Sequence, residues 1–342
     1  MLRTAVRIIT LVVLALFLLG SALAAVAYYL NQPPQEQGGS AVSFRIESGE
    51  SLGRIAARLE KAGVIREDLL LRGISRLRGT QTAFQTGSYR LEPGQTTVRV
   101  HDYLTSGGQV LHKVTVPEGW TATDIAARLE SRGITPADEF EKAIESRELL
   151  DAFSIEAESA EGFLYPDTYL FNQDYPAEKV ARHMLSTFFG VLREIEPDIE
   201  EMDSQELFER VIVASIVERE YLTKEEAPKI ASVFYNRLDG GYRLESCATV
   251  AYVMTEEQGL DHPEKLFYRD LERESPYNTY RNSGLPPGPI SNPGKVALDA
   301  AFHPADTDYY YFVLEGPEAD EHHFSKSLEE HNEAKVLYLK NP

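Results

Sequence analysis

The N-terminal part of the chain carries an apolar run without a charged residue, Ile8–Leu30. At the helical rise of about 1.5 Å per residue, this run is long enough to cross a bilayer. Arg3 and Arg7 precede it, whereas the following tether at 31–41 contains neither Lys nor Arg. The positive-inside rule therefore predicts a single-pass anchor, with residues 1–7 in the cytoplasm and everything after the span exported. The alternative is a cleaved signal peptide, although its apolar core is usually shorter, about 7–15 residues.

A second pattern recurs three times between residues 42 and 158. Each copy has an alternating apolar strand, a Gly turn, a Ser or Thr two residues after the Gly, and a stretch of helical periodicity. The hydroxyl side chains are predicted N-caps, because their oxygen can accept a hydrogen bond from an otherwise unpaired helical N–H. The strands begin at Phe44, Tyr89 and Val114, and the hydroxyl residues are Ser51, Thr96 and Thr121.

Strand, Gly-Ser/Thr turn and helix in this order resemble the LysM peptidoglycan-binding module. The resemblance implies that the region 42–158 binds glycan. The alternative is that these small α/β units only hold the C-terminal part of the chain away from the membrane, since a shared fold does not establish a ligand.

The stretch VIVASIVERE, residues 211–220, ends an apolar run with two carboxylates. On a helix, Glu220 continues the apolar stripe by i, i+3, i+4, i+7 spacing, whereas Glu218 lies about 200° away from it. A carboxyl group against apolar walls has a raised pKa, so Glu220 is the predicted general acid. Glu218 is expected to be solvated or paired with a base. The stripe consists of Val213, Ile216, Val217 and Glu220.

Several short elements are predicted beyond this stretch. The spacing Thr223-x-x-Glu226 predicts a capping box that begins the next helix. Residues 242–250, YRLESCATV, predict a strand, and YYYFVLEG with HHFS predicts a hairpin.

A long Gly- and Pro-rich loop, SPYNTYRNSGLPPGPISNPG, separates these elements, and loops of this length usually carry function or disorder. Four of its residues suit a sugar site, because tyrosines offer flat faces to pyranose rings and an amide can bind hydroxyl or acetamido groups. They are Tyr277, Asn278, Thr279 and Tyr280.

Composition removes several classes of function. With 342 residues, of which 43% are hydrophobic, the chain can bury a sizeable core in more than one domain. A net charge of −20 argues against binding to nucleic acid. One cysteine, Cys247, excludes an intrachain disulfide framework and a Cys-based zinc cage. The histidines at 303, 322, 323 and 331 do not match a zinc signature, so neither a metal nor another cofactor is expected.

A series of motifs in fixed order resembles the YceG-like (MltG) endolytic murein transglycosylase family. The resemblance extends from the apolar run to Ser327. One departure is LESCAT at 244–249, where many members read Leu-Gln-Ser/Thr-Asp-Pro-Thr. The motifs are EGFLYPDTY, ASIVERE, ASVFYNRL, YNTY, GLPPGPISNPG, AAFHP, YYYFV and HHFS.

The resemblance implies an α+β protein of the bacterial cell (inner) membrane, with a transmembrane helix, LysM-like repeats at 42–158 and a catalytic domain at 159–342. It implies that Glu220 is the catalytic acid of a lyase that cleaves bonds between N-acetylmuramic acid and N-acetylglucosamine in nascent peptidoglycan, leaving 1,6-anhydro ends and terminating elongation. Cell-wall synthases are expected partners of the anchored enzyme. The candidate substrate-binding residues are Tyr277, Asn278, Thr279, Tyr280, Glu245, Ser246 and Asn236.

Alternatives remain for the function. A non-catalytic, membrane-anchored peptidoglycan-binding scaffold would keep the repeats and tolerate the loss of Glu220. A hydrolase would normally use a second carboxylate, and the candidates for it are Glu225, Glu226 and Glu245.

Overall fold

The N-terminal apolar run forms helix α1, Leu2–Asn31, in a computed structural model that describes residues 2–34, 41–47, 49–108, 110–316 and 319–339. Within this helix, Ile9–Asn31 is long and apolar enough to cross a membrane. None of the residues in its most apolar stretch is buried by other parts of the protein. An apolar helix is therefore confirmed and fits a single-pass anchor, whereas its topology stays a prediction. Most of the predicted tether lies outside the described residues.

The chain divides into two compact units, one formed by residues 1–112 and 172–175 and the other by residues 113–171 and 176–342. The third predicted strand-turn-helix copy belongs to the second unit. The predicted limits of a LysM-like region at 42–158 and a catalytic domain at 159–342 stay predictions.

The first unit contains one small antiparallel sheet covered by helices. Phe44 of the first strand lies opposite Tyr89 of the second, and both side chains are buried in the core beneath the helices. The first two predicted copies therefore share a sheet, to which each contributes one strand. The elements are β1 (Val42–Ile46), α2 (Leu52–Lys61), α3 (Asp68–Arg78), β2 (Gly87–Leu91) and α4 (Thr97–Thr105).

The predicted N-caps are confirmed in two of the three copies. Thr96 accepts a hydrogen bond from the N–H of Arg99, and Thr121 accepts one from Asp124 in a reciprocal capping box. Ser51 occupies the N-cap position of α2, but its side chain does not cap the helix. The strand-turn-helix pattern is therefore present, whereas glycan binding by a LysM-like region stays a prediction.

The rest of the chain is mostly helical, with two further strand pairs. Strand β3 pairs with β4, and β5 pairs antiparallel with β6, which confirms the predicted hairpin. The elements are β3 (Leu111–Thr115), α5 (Ala122–Ser131), α6 (Ala137–Ile144), α7 (Arg147–Ala152), β4 (Thr168–Asn172), α8 (Ala177–Ile195), α9 (Ser204–Val217), α10 (Ala227–Asp239), α11 (Cys247–Tyr252), α12 (Lys295–Phe302), β5 (Tyr311–Leu314), β6 (His322–Ser325) and α13 (Leu328–Leu339).

Helix α9 lies at the centre of the second unit. Residues 211–217 are buried on every side, and the helix packs against α10 and α12. A helix that is apolar all round is stable only inside a core. The chain that leaves α9 at Val217 therefore emerges from the interior of the unit.

Two predicted elements differ from the structure. Residues 242–250 are not a strand, because Glu245 has a left-handed φ of 52° and Ser246 then caps α11 by accepting from the N–H of Ala248. Helix α10 begins at Ala227, with Glu226 as its N-cap residue, rather than directly after Thr223. The Glu226 carboxylate still accepts from the N–H of Thr223 at 3.2 Å, so only part of the predicted capping box forms.

The buried side chain of Asn292 joins the long loop to two distant turns of the second unit. Its Oδ1 accepts from the N–H groups of Gly162 and Leu164, both at 2.9 Å. Its Nδ2 donates to the carbonyl oxygen of Trp120 at 3.0 Å and to Glu161 Oε1 at 2.6 Å. The amide thereby uses two acceptor and two donor positions, which is all that it has.

We expect Asn292→Ala to lower the free energy of unfolding by roughly 2–5 kcal/mol, since it leaves several buried groups without partners at about 1–3 kcal/mol each. Chemical denaturation measures the loss. Asn282→Ala is the matched control, because Asn282 donates to the carbonyl oxygens of Ser275 and Asn278 from an exposed position. Equal losses in the two variants would contradict the role assigned to Asn292.

Candidate active site

Glu220 lies in the turn that directly follows α9. The helix ends at Val217, and the N–H of Glu220 donates to the Val217 carbonyl oxygen at 3.0 Å, so the chain keeps a helical turn beyond its last helical residue. The Ser246 hydroxyl donates to Glu220 Oε1 at 2.5 Å. Burial raises the pKa of Glu220, while the hydrogen bonds from Ser246 and from the N–H of Ala248 lower it in part.

The Glu220 carboxyl faces a cavity of about 310 Å³. Ser246, Cys247 and Tyr280 lie on its wall beside Glu220, and the Tyr280 hydroxyl is 3.2 Å from Cys247 Sγ. A carboxyl group with a raised pKa at the wall of a cavity is in a position to protonate a bound ligand. The cavity therefore has the geometry of a general-acid site.

Glu218 was expected to be solvated or paired with a base, and the structure instead buries it against a backbone N–H. Its Oε2 accepts from the N–H of Gly294 at 2.9 Å. Burial raises the pKa of Glu218 to about 7, the Gly294 hydrogen bond lowers it in part, and the nearby Glu118 carboxylate raises it further. A raised pKa therefore does not distinguish Glu218 from Glu220. Their surroundings do, because Glu220 borders the cavity whereas Glu218 is bound to the long loop.

The residue between these two carboxylates is also held by the scaffold. Arg219 Nη1 donates to the carbonyl oxygen of Gly119 at 3.0 Å. The N–H of Gly119 in turn donates to the carbonyl oxygen of Asn292 at 2.9 Å. Glu218 and Arg219 thus anchor the turn on one side, which leaves the Glu220 side chain directed at the cavity.

Three predicted substrate-binding residues lie together with Glu220. Glu245, Ser246 and Tyr280 all line its cavity. Glu245 Oε2 is 3.5 Å from Arg237 Nη1, which draws this carboxylate towards the wall. Direct contact of these residues with a ligand stays a prediction.

Three other predicted residues have internal hydrogen bonds instead. Asn278 is fully buried and donates to the carbonyl oxygens of Leu271 and Arg273. Thr279 is buried and accepts from the N–H of Ser246 at 3.0 Å. Asn236 donates to two backbone carbonyl groups of the 307–309 segment. We interpret these three residues as positioning the loop and Ser246, because their polar atoms are engaged within the protein.

Tyr277 lies away from the Glu220 cavity. It lines a different hollow together with Tyr252, and the two ring centroids are 4.9 Å apart. The two tyrosines of the YNTY motif thus line two separate cavities, although only two residues separate them in sequence. This difference was hidden from sequence reasoning because the loop has no helical or strand periodicity.

The C-terminal helix contributes residues to the Glu220 cavity that sequence reasoning missed. Leu328, His331 and Lys335 of α13 line the cavity, as do Tyr311 and Phe312 of β5. The three helical residues share one face by i, i+3, i+7 spacing. That spacing was visible in the sequence, but the element that the face would meet was not.

The histidines are dispersed in the second unit. His322 Nδ1 lies 3.2 Å from Glu226 Oε2, and His303 Nδ1 lies 3.1 Å from Asp299 Oδ1. The His331 ring stacks on Tyr311. Across the described residues, no group of three or more His, Cys, Asp or Glu side chains is arranged to hold a metal ion.

Comparison with known proteins identifies the family. Residues 44–336 match the YceG-like family. The chain belongs to the YceG-like family. The endolytic murein transglycosylase of Bacillus subtilis is 32% identical over 326 residues, which cover 91% of this chain and 88% of the relative.

Other relatives agree with this assignment. The endolytic murein transglycosylase of Streptococcus pneumoniae strain D39 is 27% identical over 320 residues, or 85% of this YceG-like chain and 57% of the relative. A crystal structure of a YceG-like protein from Listeria monocytogenes has a TM-score of 0.56 and 31% sequence identity, and the match covers 86% of this chain and 99% of that one.

We expect Glu218→Gln to stabilise this YceG-like protein at pH 8 but not near pH 5. The pKa of Glu218 is raised from 4.5 to about 7, so the folded state holds the proton more tightly than the unfolded state. Stability from this group is fully present below about pH 4.5 and is lost as the pH rises through about 7. Glutamine imitates the protonated form at every pH. Thermal unfolding at both pH values measures the difference.

Glu264→Gln is the matched control for this prediction, because Glu264 is exposed. It should give the same change in Tm at pH 8 and pH 5. A Glu218→Gln protein that is less stable than the wild type at pH 8 would contradict the buried position of Glu218.

We expect Ser246→Ala to move the alkaline limb of any activity that depends on protonated Glu220 to higher pH. The Ser246 hydroxyl stabilises the charged carboxylate, so its removal raises the pKa of Glu220 further. A pH–rate profile measures the shift. Thr96→Ala, which removes a comparable helix cap in the other unit, should leave the profile unchanged. A shift to lower pH would contradict the hydrogen bond.

Proposed function

We propose that this YceG-like protein is a lytic transglycosylase, a lyase that cleaves peptidoglycan glycan strands internally between N-acetylmuramic acid and N-acetylglucosamine. One observation carries the proposal: Glu220, whose pKa is raised by burial, faces the cavity that also contains Ser246 and Tyr280. The relatives in Bacillus subtilis and Streptococcus pneumoniae that bear the name endolytic murein transglycosylase support the choice of substrate.

A single carboxyl group is sufficient for the proposed reaction. Protonated Glu220 donates its proton to the glycosidic oxygen as the bond from that oxygen to C1 of the muramic residue breaks. The resulting carboxylate then takes the proton of the C6 hydroxyl while O6 forms a bond to C1. Glu220 is thereby restored, no water is consumed, and the product ends in 1,6-anhydro-N-acetylmuramic acid.

The hydrogen bond from Ser246 suits both halves of this reaction. Burial favours the protonated acid before the bond breaks, whereas the Ser246 hydroxyl stabilises the carboxylate that forms afterwards. A group with both roles needs a pKa near the working pH rather than far above it. Burial and the Ser246 hydrogen bond shift the pKa of Glu220 in opposite directions, burial upwards and the hydrogen bond downwards.

Glu245 is the carboxylate that a hydrolytic mechanism would use in the same cavity. It lines the wall together with Glu220, and its distance of 3.5 Å to Arg237 gives it a cationic partner. A hydrolase would employ this second carboxylate as nucleophile or to activate water. The lyase proposal assigns Glu245 to binding, so the nature of the product distinguishes the two mechanisms.

The proposed setting is the outer face of the bacterial cell membrane. The apolar helix α1 fits an anchor, and the positive-inside rule exports the remainder of the chain. From there the enzyme would meet nascent glycan strands close to the cell-wall synthases that make them, and its cuts would terminate elongation. The first unit, with its LysM-like order of elements, would bind the same strands.

We expect the full chain in detergent to release fragments with 1,6-anhydro-N-acetylmuramic acid ends from uncrosslinked glycan without added metal. Mass spectrometry of the digest measures the product. Reducing ends instead would show a hydrolase, and no release would favour a non-catalytic peptidoglycan-binding scaffold. Glu220→Gln should remain folded and lose at least about 10²–10⁴-fold of the turnover, because it removes the proton donor.

Glu218→Gln and Glu245→Gln are the matched controls for Glu220→Gln. Glu218→Gln should retain much more activity, since Glu218 is bound to Gly294 rather than facing the cavity. Glu245→Gln should still form anhydro ends, although with weaker substrate binding. A folded but inactive Glu218→Gln protein beside an active Glu220→Gln protein would move the catalytic assignment to Glu218.

A further inference from the structure

A hollow of about 960 Å³ in the second unit is distinct from the Glu220 cavity. Its wall carries Phe208, Tyr252 and Tyr277 beside Pro287 and Pro289. Pockets for small ligands usually have volumes of about 300–1,000 Å³, so this hollow has room for more than one sugar ring. Neither Tyr252 nor Phe208 has a part in the proposed chemistry.

The two tyrosines form a firm aromatic wall. Their ring centroids are 4.9 Å apart with an angle of 38° between the planes, and both side chains are half-buried. The Tyr277 hydroxyl lies close to Gly288, and a β-carbon at position 288 would be only 3.0 Å from that hydroxyl oxygen. A rigid, amphipathic ring that is only half covered offers a contact face to a flat ligand.

A polar group also lies on this wall. Glu161 Oε2 accepts from the N–H of Ala122 at 2.8 Å, and its Oε1 accepts from Asn292 at 2.6 Å. Burial raises the pKa of Glu161 to about 8. The carboxyl group lines the hollow with both of its oxygens held by hydrogen bonds from the protein, so its position on the wall is fixed.

A third hollow, of about 380 Å³, is lined by Ala248 and Tyr252 of α11. Tyr252 lines both this hollow and the aromatic one, while Arg219 and Ala248 of the same wall directly adjoin Glu220 and Cys247 in sequence. Cys247 and Tyr252 lie at opposite ends of α11, about 7.5 Å apart along the helix axis. Residues of α11 thus line all three hollows, Cys247 the Glu220 cavity and Tyr252 the aromatic one.

We propose that the aromatic hollow is a distal glycan subsite, in which Tyr252 and Tyr277 hold N-acetylhexosamine rings of a strand whose scissile bond lies at Glu220. The inference rests on the proposed function and adds a binding site to it. An enzyme that cuts inside a strand must bind sugars at some distance from the cut, and the two ends of α11 line the Glu220 cavity and the aromatic hollow.

The charge on the rim of the hollow would also suit a second kind of ligand. Glu145, Glu156 and Glu158 make it acidic, and Arg147 on the same rim pairs with Asp151. Such a rim would also attract the free amine of a peptide stem. The aromatic and proline wall favours the sugar ring, because an amine has no flat face to place against Tyr277.

The test uses N-acetylglucosamine oligomers and the full chain with Glu220→Gln, so that no substrate is consumed. Calorimetry should show that adding Tyr277→Ala weakens binding of the hexamer by about 2–13-fold, which corresponds to an aromatic contact of about 0.5–1.5 kcal/mol. Binding of the dimer should not change. Tyr277→Phe should bind as the parent does, and Tyr277→Leu, which retains apolar volume, should behave like Tyr277→Ala.

Tyr268→Ala is the matched control, because Tyr268 is 90% exposed and does not line the hollow. In the active chain, Tyr277→Ala should raise KM for long glycan without lowering kcat. Unchanged hexamer binding in the folded Tyr277→Ala and Tyr277→Leu proteins would overturn the subsite. So would a loss that is equal for dimer and hexamer, or one seen only with a lysine-containing stem peptide.

The two proposals fail separately in these experiments. If the wild type forms no anhydro ends but Tyr277→Ala still loses affinity for the hexamer, the result supports the subsite and contradicts the proposed lyase reaction. If anhydro ends form and Tyr277→Ala cleaves long glycan with unchanged KM, the result supports the lyase reaction and contradicts the subsite.

Discussion

The side-chain amide of Asn292 is buried and bonded at each of its four positions to groups from the 120–122 and 161–164 regions of the chain. Its backbone carbonyl oxygen accepts from the N–H of Gly119, and the carbonyl oxygen of Gly119 accepts from Arg219. The turn that carries Glu220 is thereby fixed to the loop and to both regions. A buried amide costs free energy if any of its hydrogen-bond partners is missing. The loop and the two regions that it joins therefore depend on one another for stability.

Three carboxyl groups around this network have raised pKa values but different surroundings. Burial raises the pKa of Glu161 and Glu218 to about 8 and about 7, and it also raises that of Glu220. Raised pKa values cluster at functional sites, but structural burial produces them as well. Access to the Glu220 cavity therefore distinguishes Glu220 from Glu218. Glu218 accepts from the N–H of Gly294 in the long loop, whereas Glu220 accepts from Ser246 and Ala248 and lines the cavity.

Sequence periodicity predicted the elements that have a clear period. The apolar helix, the strand-turn-helix copies and the hairpin at 311–325 are present, because alternation and capping are local properties. The prediction from periodicity was wrong where a single backbone angle decides the local structure. The left-handed φ of Glu245 turns an expected strand into a cap for α11, and sequence alternation carries no information about that angle. The solvation expected of Glu218 was wrong because Gly294, 76 residues further along the chain, meets it.

The helical-wheel argument placed Glu220 on the buried stripe of α9 although the helix ends at Val217. The hydrogen bond from the Glu220 N–H to the Val217 carbonyl oxygen keeps a tight turn there, and the Glu220 side chain lines the cavity just beyond the end of the helix. Ending the helix before the carboxyl has a physical advantage. A residue inside α9 would be sealed by the neighbouring helices, whereas one just beyond its end retains apolar surroundings on one side and a cavity on the other. General acid catalysis requires that combination, because the proton must be both retained and delivered.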